Sequence, residues 1–390
     1  MEKEILITKE TSSLVLIGKR FLFKHAREKM IFTKEQLTSF YSALIWDRFV
    51  WDQVFRTLII LLIFLMLAIP TPCVGETKRL LRIGTGGLTG VYYPIGKLIA
   101  QGLTGSDEGK DASETNDHGI PGYIGVAQNS AGSIENVHAV ASGEIEAGLV
   151  QADVASWAYK ADRVFAGNKS VRVVRSVASL YPEKFQIVTR RDANIHSVLD
   201  LKGKHISIDE VGSGTLAVMQ IVLEAHGLSE KDLFPVYLKP VFTHDKMVNG
   251  DLQGFVMMAG APMKAVTQLS DIGISLVPIA PEMASRIRAR FPYLVPGKIP
   301  AGVYPGIPET PSLEVHALLV VSSEMDDNLV YQMTAALWSE RTLSLLKKGH
   351  SQGKSITPET ALAGISIPLH PGAERFYREQ GMLQKGTKLP

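Results

Sequence analysis

Only one cysteine, Cys73, occurs in the 390 residues, and it sits at the end of a segment that reads as a removable leader. Past Gly75 no thiol remains, which excludes disulfides, thiol nucleophiles and thiolate metal sites from the body of the chain. Neither sign of charge dominates. The 41 Lys and Arg against 39 Asp and Glu leave a net +2, whereas nucleic-acid binders concentrate basic residues. The histidines are scattered and form no His-x-x-x-His or comparable ligand pair, so neither zinc nor any other metal is expected. Gly-x-Ser-x-Gly is missing, so there is no nucleophile elbow around Ser213. Asp209 and Glu210 are neighbours that point different ways, which suits a solvated loop better than an acid/base pair. No catalytic constellation emerges, and no cofactor is called for. Repeats, heptads and low-complexity tracts are absent too. Hydrophobic content is 45%, ordinary for a packed globular protein and low for a polytopic one.

The one long apolar run is Leu58 to Ile69, with Arg56 before it and Pro70-Thr71-Pro72 after it. It is short for a spanning helix and suits the core of a secretory signal. Cys73 and Gly75 are small residues at the −3 and −1 positions of a cut before Glu76. Lipoprotein processing at Cys73 is disfavoured by Pro72, and an uncleaved signal anchor is the other reading of the same run. Residues 1–49 exceed what such a leader needs, which points to translation starting near Val50 or Met30. On any of these readings residues 1–75 are a leader and the body lies outside the cytoplasm, in the periplasm if the signal is cut.

From Leu80 onward short strands alternate with helices, the pattern of an α/β protein with mostly parallel sheets. Ala147–Gln151, Val171–Val177, Phe185–Thr189, His205–Ile208, Gly254–Met258 and Val315–Val321 read as buried strands. Helices are predicted over Ile134–Ser142, Thr215–His226, Leu329–Leu346 and Ala373–Gln380, bounded by caps such as Ser133, Gly143 and Gly227. Gly105 to Pro121 is polar and glycine-rich with no apolar period, and reads as a surface loop. Six prolines between Pro292 and Pro311 exclude a helix there and predict an extended connection.

The densest signal is the turn between the strand Leu80–Ile83 and the helix that carries Ile95, Leu98, Ile99 and Leu103. Gly84, Gly86, Gly87 and Gly90 let a ligand approach bare N–H groups, and the helix N-terminus adds aligned donors and partial positive charge. The spacing fits neither the dinucleotide fingerprint nor a P-loop, since Gly90 to Gly96-Lys97 has five intervening residues and Leu98 in place of the magnesium-binding hydroxyl. Similar strand–turn–helix units recur at Val126–Ile134 and Ile208–Thr215, and more weakly at Met257–Pro262. Glycine and serine populate turns by default, but four such turns, each ahead of a helix, point to one anion-holding cleft at strand C-termini.

The run Ile83-Gly84-Thr85-Gly86-Gly87-x-Thr89-Gly90-Val91-Tyr92-Tyr93-Pro94 resembles the signature of the TAXI family, solute-binding subunits of tripartite ATP-independent periplasmic (TRAP) transporters. Further matches are Ser130-x-Gly132-Ser133 with Asn136, Gly143-Glu144-x-x-x-Gly148-x-Val150-Gln151-x-Asp153, Asp200-Leu201-Lys202-Gly203-Lys204, Gly212-Ser213-Gly214, Ile299-Pro300-x-Gly302-x-Tyr304 and Leu369-His370-Pro371-Gly372-Ala373. The resemblance runs from about Leu80 to the C-terminus. It implies a type II periplasmic-binding-protein fold, with two α/β lobes around a ligand cleft and a hinge. Lobe 1 would take residues 76–184 and 322–390, and lobe 2 residues 185–321. The hinge crossings would lie near Leu180–Gln186 and Pro311–Ser322, with the C-terminal helices packed back on the first lobe. The implied ligand is a small carboxylate, either a glutamate-like amino acid or a 2-oxoacid or dicarboxylate, delivered to the membrane subunits of the transporter.

On this reading Thr85, Gly87, Thr89, Gly90 and Tyr92 hold the carboxylate, with Ser130 and Ser133 beside them and Gln151 adding a side-chain contact. Gly212, Ser213, Gly214 and Thr215 close over the other end, Gly260 stands behind and Tyr304 covers the pocket. Core packing is the competing reading for Tyr92 and Tyr304, and a helix-start cap for Gln151 and Asp153. No arginine falls in a matched motif, so neutral donors and helix dipoles are expected to carry the carboxylate. Three departures from the family pattern stand out: Ala131 in the second turn, the apolar Met258-Ala259-Gly260-Ala261-Pro262, and Asp209-Glu210, whose charge must point outward to suit an anion. A membrane-anchored sensor or a periplasmic enzyme on the same fold is the alternative.

Overall fold

In the computed structural model, residues 53–54, 56–62, 78–105 and 119–384 are described. Of the expected leader, only residues 56–62 and the pair 53–54 fall among these, as exposed helix. The expected cleavage site at Gly75, Cys73, the expected starts at Met30 and Val50, and residues 106–118 of the expected loop lie outside them. Among the described residues no helix is long and apolar enough to cross a membrane.

The α/β class predicted from the alternation of elements is what the unit from Glu76 to Pro390 has. Ten strands form one sheet: β1 (Arg79–Gly84), β2 (Tyr123–Gln128), β3 (Ala147–Gln151), β4 (Val174–Arg190), β5 (His205–Ser207), β6 (Phe234–Val236), β7 (Gly254–Ala259), β8 (Ile274–Leu276), β9 (Val295–Ile299) and β10 (Thr310–Ser322). The main order is β2-β1-β3-β10-β4-β7-β5-β6, with β8 on β4 and β9 on β10. Two strands carry the chain from one half of the sheet to the other. β10 is laddered to β3 through Ala317–Val321 and to β9 through Thr310–Glu314. β4 pairs with β10 through Val174–Lys184 and with β7 through Lys184–Thr189. The ladder on β3 puts Ala317–Val321 in the first half of the sheet, although the sequence division places them in the second.

The sequence splits β4 into two strands around Pro182-Glu183-Lys184, yet the strand is continuous. Pro182 lies opposite His316 of β10, and a proline costs little where its position needs no donor. The predicted helix Leu329–Leu346 is two helices, Asp327–Leu337 and Glu340–Gly349. Ser339 separates them and caps the second, its Oγ accepting from the Thr342 N–H at 3.3 Å. The proline-rich connection includes an extended strand, β9, as its composition requires.

In the first half the parallel strands β1, β2 and β3 are followed, in turn, by α1 (Tyr92–Leu103), α2 (Ser133–Ala141) and α3 (Ala152–Lys160). α1 buries Ile95, Ile99 and Leu103. Gly125 of β2 brings that strand against the α1 backbone, since a Cβ there would stand 2.2 Å from the Ala100 carbonyl oxygen. The C-terminal helices pack on this half: Tyr377 OH donates to the Val177 carbonyl at 2.9 Å, and Trp338 Nε1 donates to Tyr377 OH at 2.9 Å. In the second half the parallel strands β7, β5 and β6 adjoin α4 (Gly214–Ala225), which is buried along most of its length. Every turn singled out in the sequence thus lies at the C-terminal end of a strand.

Candidate functional site

Two turns of the first half and strand β3 are tied to one another before any ligand is considered. The Thr85 N–H and Oγ1 both donate to the Gln128 carbonyl, at 2.9 and 2.7 Å. The Thr85 carbonyl accepts from Ser130 Oγ at 3.0 Å and from Asn136 Nδ2 at 2.7 Å, and that amide also donates to the Leu149 carbonyl at 2.8 Å. Asn129 Nδ2 holds the Gly86 carbonyl at 2.5 Å. These bonds satisfy buried backbone groups that the open glycine turn would otherwise leave bare.

Across from them stand the ends of β5, β6 and β7. Between the two sets lies a narrow cavity of about 40 Å³, room for a few water-sized atoms. Gly87, Thr89, Gly90, Tyr92, Ser133, Gln151, Ser213, Gly214 and Thr215, all expected from the sequence, line it. So do Glu183, Asp209, Lys239 and Met257, which the sequence reading does not place there. Residues of both halves therefore face one small space.

Five expected residues do not line the cavity. Thr85 and Ser130 are engaged in the ties just described. The Gly212 carbonyl accepts the N–H groups of Ile134 and Glu135 at 3.2 and 3.3 Å. Gly260 faces Gln352 and Tyr181, with room for no Cβ on that side. Tyr304 is 1% exposed, donates to Gln186 Oε1 and accepts from the Met263 N–H at 3.0 Å. Its hydroxyl is satisfied inside the core, so it is no cover for the cavity. Tyr92 combines both of its readings: it is buried, lines the cavity, and donates to Glu183 Oε2 at 3.0 Å.

The halves touch directly. Lys239 Nζ donates to the Ser130 carbonyl at 3.2 Å and pairs with Glu210 Oε1 at 2.9 Å. A Cβ on Gly214 would stand 2.6 Å from the Gln151 side-chain amide, so a glycine at the start of α4 is what lets that amide reach across. Ser213 caps α4, its Oγ accepting from the Leu216 N–H at 3.0 Å. Thr215 Oγ1 accepts from the Met258 N–H at 3.2 Å.

The electrostatics differ from the expected neutral cradle. No arginine lines the cavity, but a lysine does. Asp209 does not point outward: it is 4% exposed, lies at φ 68° and lines the cavity. Burial raises its carboxyl to about 6, against the opposing pull of the Glu210 N–H and the Thr215 and Ser213 side chains. Burial also holds Glu183 well above the usual carboxylate range, with Tyr92 donation opposing and the charge of Asp153 adding. Asp153 sits in the first turn of α3, where its Oδ1 accepts from the Val154 N–H at 2.8 Å. Its Oδ2 has no partner, and burial raises it to about 7. Gln151 is 3% exposed and its Oε1 also lacks a partner. Signals for these residues exist: a carboxylate within the apolar strand at Glu183, and a third strand end at Lys239. Both need the fold before they can be assigned to the cavity.

The sequence model of the NMT1-like family matches residues 83–381, a span that takes in the whole site. Among solved structures, the chain is similar to the periplasmic aliphatic sulphonate binding protein SsuA of Escherichia coli, at 15% identity and TM-score 0.39, over 77% of this chain and 83% of that one. It is similar to the alkanesulfonate-binding protein SsuA of Xanthomonas axonopodis pv. citri, bound to MOPS, at 17% identity and TM-score 0.41, over 78% and 94%. A putative L-cystine ABC transporter protein of Listeria monocytogenes matches at 13% identity and TM-score 0.43, over 72% and 99%.

Proposed function

The chain belongs to the NMT1-like family, and from that premise we propose that it is an extracytoplasmic solute-binding protein of the two-lobed, type II periplasmic-binding kind. It captures a small carboxylate-bearing solute and delivers it unchanged to a TRAP-type membrane permease of the TAXI branch. The observation that carries this reading is the cavity itself. It lies at strand C-termini, where open α/β sheets hold ligands, and is lined from both halves of a sheet joined by two crossing strands.

In this reading lobe 1 comprises residues 76–184 with the C-terminal segment, and lobe 2 the residues between, the lobes moving about β4 and β10. Only a filled cleft offers contacts to both lobes, so ligand selects the closed form. The carboxylate is taken by Lys239 together with the Thr89 hydroxyl, while Ser213 and Thr215 close over the other end. Transport energy comes from the permease, and the body acts in the periplasm.

Native mass spectrometry of freshly purified protein tests the proposal, because a tight solute co-purifies. A thermal-shift panel of carboxylates follows: at 100 times Kd a ligand stabilises by about 2.7 kcal/mol, a readable rise in Tm. A protein with no co-purified molecule and no shift across the panel is not a carboxylate receptor. Turnover of the bound compound would favour the enzyme alternative.

A further inference from the structure

A cavity built for a purely anionic solute has cations or uncommitted donors on its walls. This one has hydroxyl donors, Thr89 among them, but also two carboxyl side chains, Glu183 and Asp209, and a single lysine that is already paired with Glu210. The acids are not stray surface groups: Glu183 is 1% and Asp209 4% exposed. Buried carboxylates are rare unless something compensates them. Each is held in place, Glu183 by Tyr92 OH and Asp209 by the Glu210 N–H at 2.9 Å. Beside them is an independent sign of a missing donor. Gln151 Oε1 is buried, has no hydrogen-bond partner and belongs to a side chain lining the same small cavity. Native proteins rarely leave such an acceptor unmatched.

Resting on the receptor reading above, we infer that Glu183, Asp209 and Gln151 form a subsite for a primary ammonium group, so that the solute is a zwitterion and not a 2-oxoacid or a plain dicarboxylate. An ammonium has three donors and one positive charge, which match two carboxyls and one amide oxygen. Lys239, which lines the same cavity, is the cation available to the carboxylate. Burial raises the hold of both acids on a proton; an incoming ammonium favours their ionised forms and displaces protons.

Matched probes on the full-length protein test this by isothermal titration: L-glutamate, 2-oxoglutarate and glutarate, then L-aspartate and succinate, then L-alanine and pyruvate. The expected result is that the tightest probe carries the ammonium and that its ammonium-free partners bind about ten- to a hundredfold more weakly, the range for one hydrogen bond to a charged group. D209N and E183Q should each erase most of that preference. Because either variant can fold poorly, the wild-type probe ratio and the identity of any co-purified molecule stand as the primary readings. An amine-bearing co-purified molecule supports the subsite. An ammonium-free probe that binds as tightly as its amino counterpart overturns the inference and leaves the receptor reading intact. No binding by any probe, with nothing co-purified, overturns both.

Discussion

Asp153 gives the sharpest stability test, because its carboxyl is buried with one oxygen unpartnered and is raised to about 7 from an ordinary 3.8. Its folded value lies above its unfolded one, so the folded state binds the proton more tightly. The stabilisation from that proton is complete below about pH 3.8 and is lost as pH rises through about 7. At pH 8 the ionised group costs the fold roughly 4 kcal/mol as an upper bound, from the gap between the two values at about 1.36 kcal/mol per pH unit. The substitution D153N keeps an oxygen for the Val154 N–H to donate to and removes the titration. The variant should therefore be more stable than the natural protein at pH 8, by several degrees in Tm at roughly 2 °C per kcal/mol for a domain of this size. The difference should shrink toward zero by pH 4. Thermal unfolding followed by circular dichroism at intervals from pH 4 to 8 reads both quantities. A variant that is less stable at pH 8, or a Tm difference that does not change with pH, refutes the assignment of a penalised buried charge.

Other expectations follow from the same contacts. K239M should weaken a carboxylate-bearing ligand by about ten- to a hundredfold in titration, with K239R recovering part of the loss; unchanged affinity would remove Lys239 from recognition. T89A should cost roughly 1–3 kcal/mol of binding, and S213A a similar amount plus a lower Tm, because Ser213 also caps α4. Y304F should lower Tm by breaking the bonds to Gln186 and Met263 while leaving affinity alone; a tenfold affinity loss would return Tyr304 to the pocket. G125A drives a Cβ into the Ala100 carbonyl and should destabilise by about 1–3 kcal/mol, seen as a lower midpoint in urea.

How much of this is readable in the chain depends on whether a signal is local. Glycine turns, helix caps and buried strand runs are written in a few adjacent residues, which is why sequence alone singles out Gly87, Thr89, Ser133, Gln151 and Ser213, all of which line the cavity. β6 and β8 have three residues each, too few for a period to register. The break at Ser339 is hidden because apolar spacing continues across it. Glu183 and Lys239 carry no local mark of their role. Their meaning arises only when β4 crosses the sheet and when the end of β6 is folded against the Ser130 turn. Tyr304 shows the reverse error, since a residue matching a family motif takes a ligand-facing role on paper while its hydroxyl serves Gln186 and Met263.

One contact bears on where an anion can sit. The sequence reading assigns the carboxylate to helix N-termini, among them that of α2. In the structure two of the first-turn N–H groups there, from Ile134 and Glu135, are taken by the Gly212 carbonyl of the opposite half. A carbonyl and a carboxylate compete for the same donors. An anion that takes the Ile134 and Glu135 N–H groups must displace Gly212 and so part the two halves, working against closure. An anion at Lys239 leaves the Gly212 contact in place and draws only on a side chain that already bridges Ser130 and Glu210. On the proposed reading, binding at Lys239 and closure of the cleft then reinforce each other, as ligand selection of a closed form requires. Replacing Gly212 by alanine, at a φ of 92° that a side chain rarely adopts, should loosen the Ile134 and Glu135 contact and weaken the ligand in titration without altering any group that touches it.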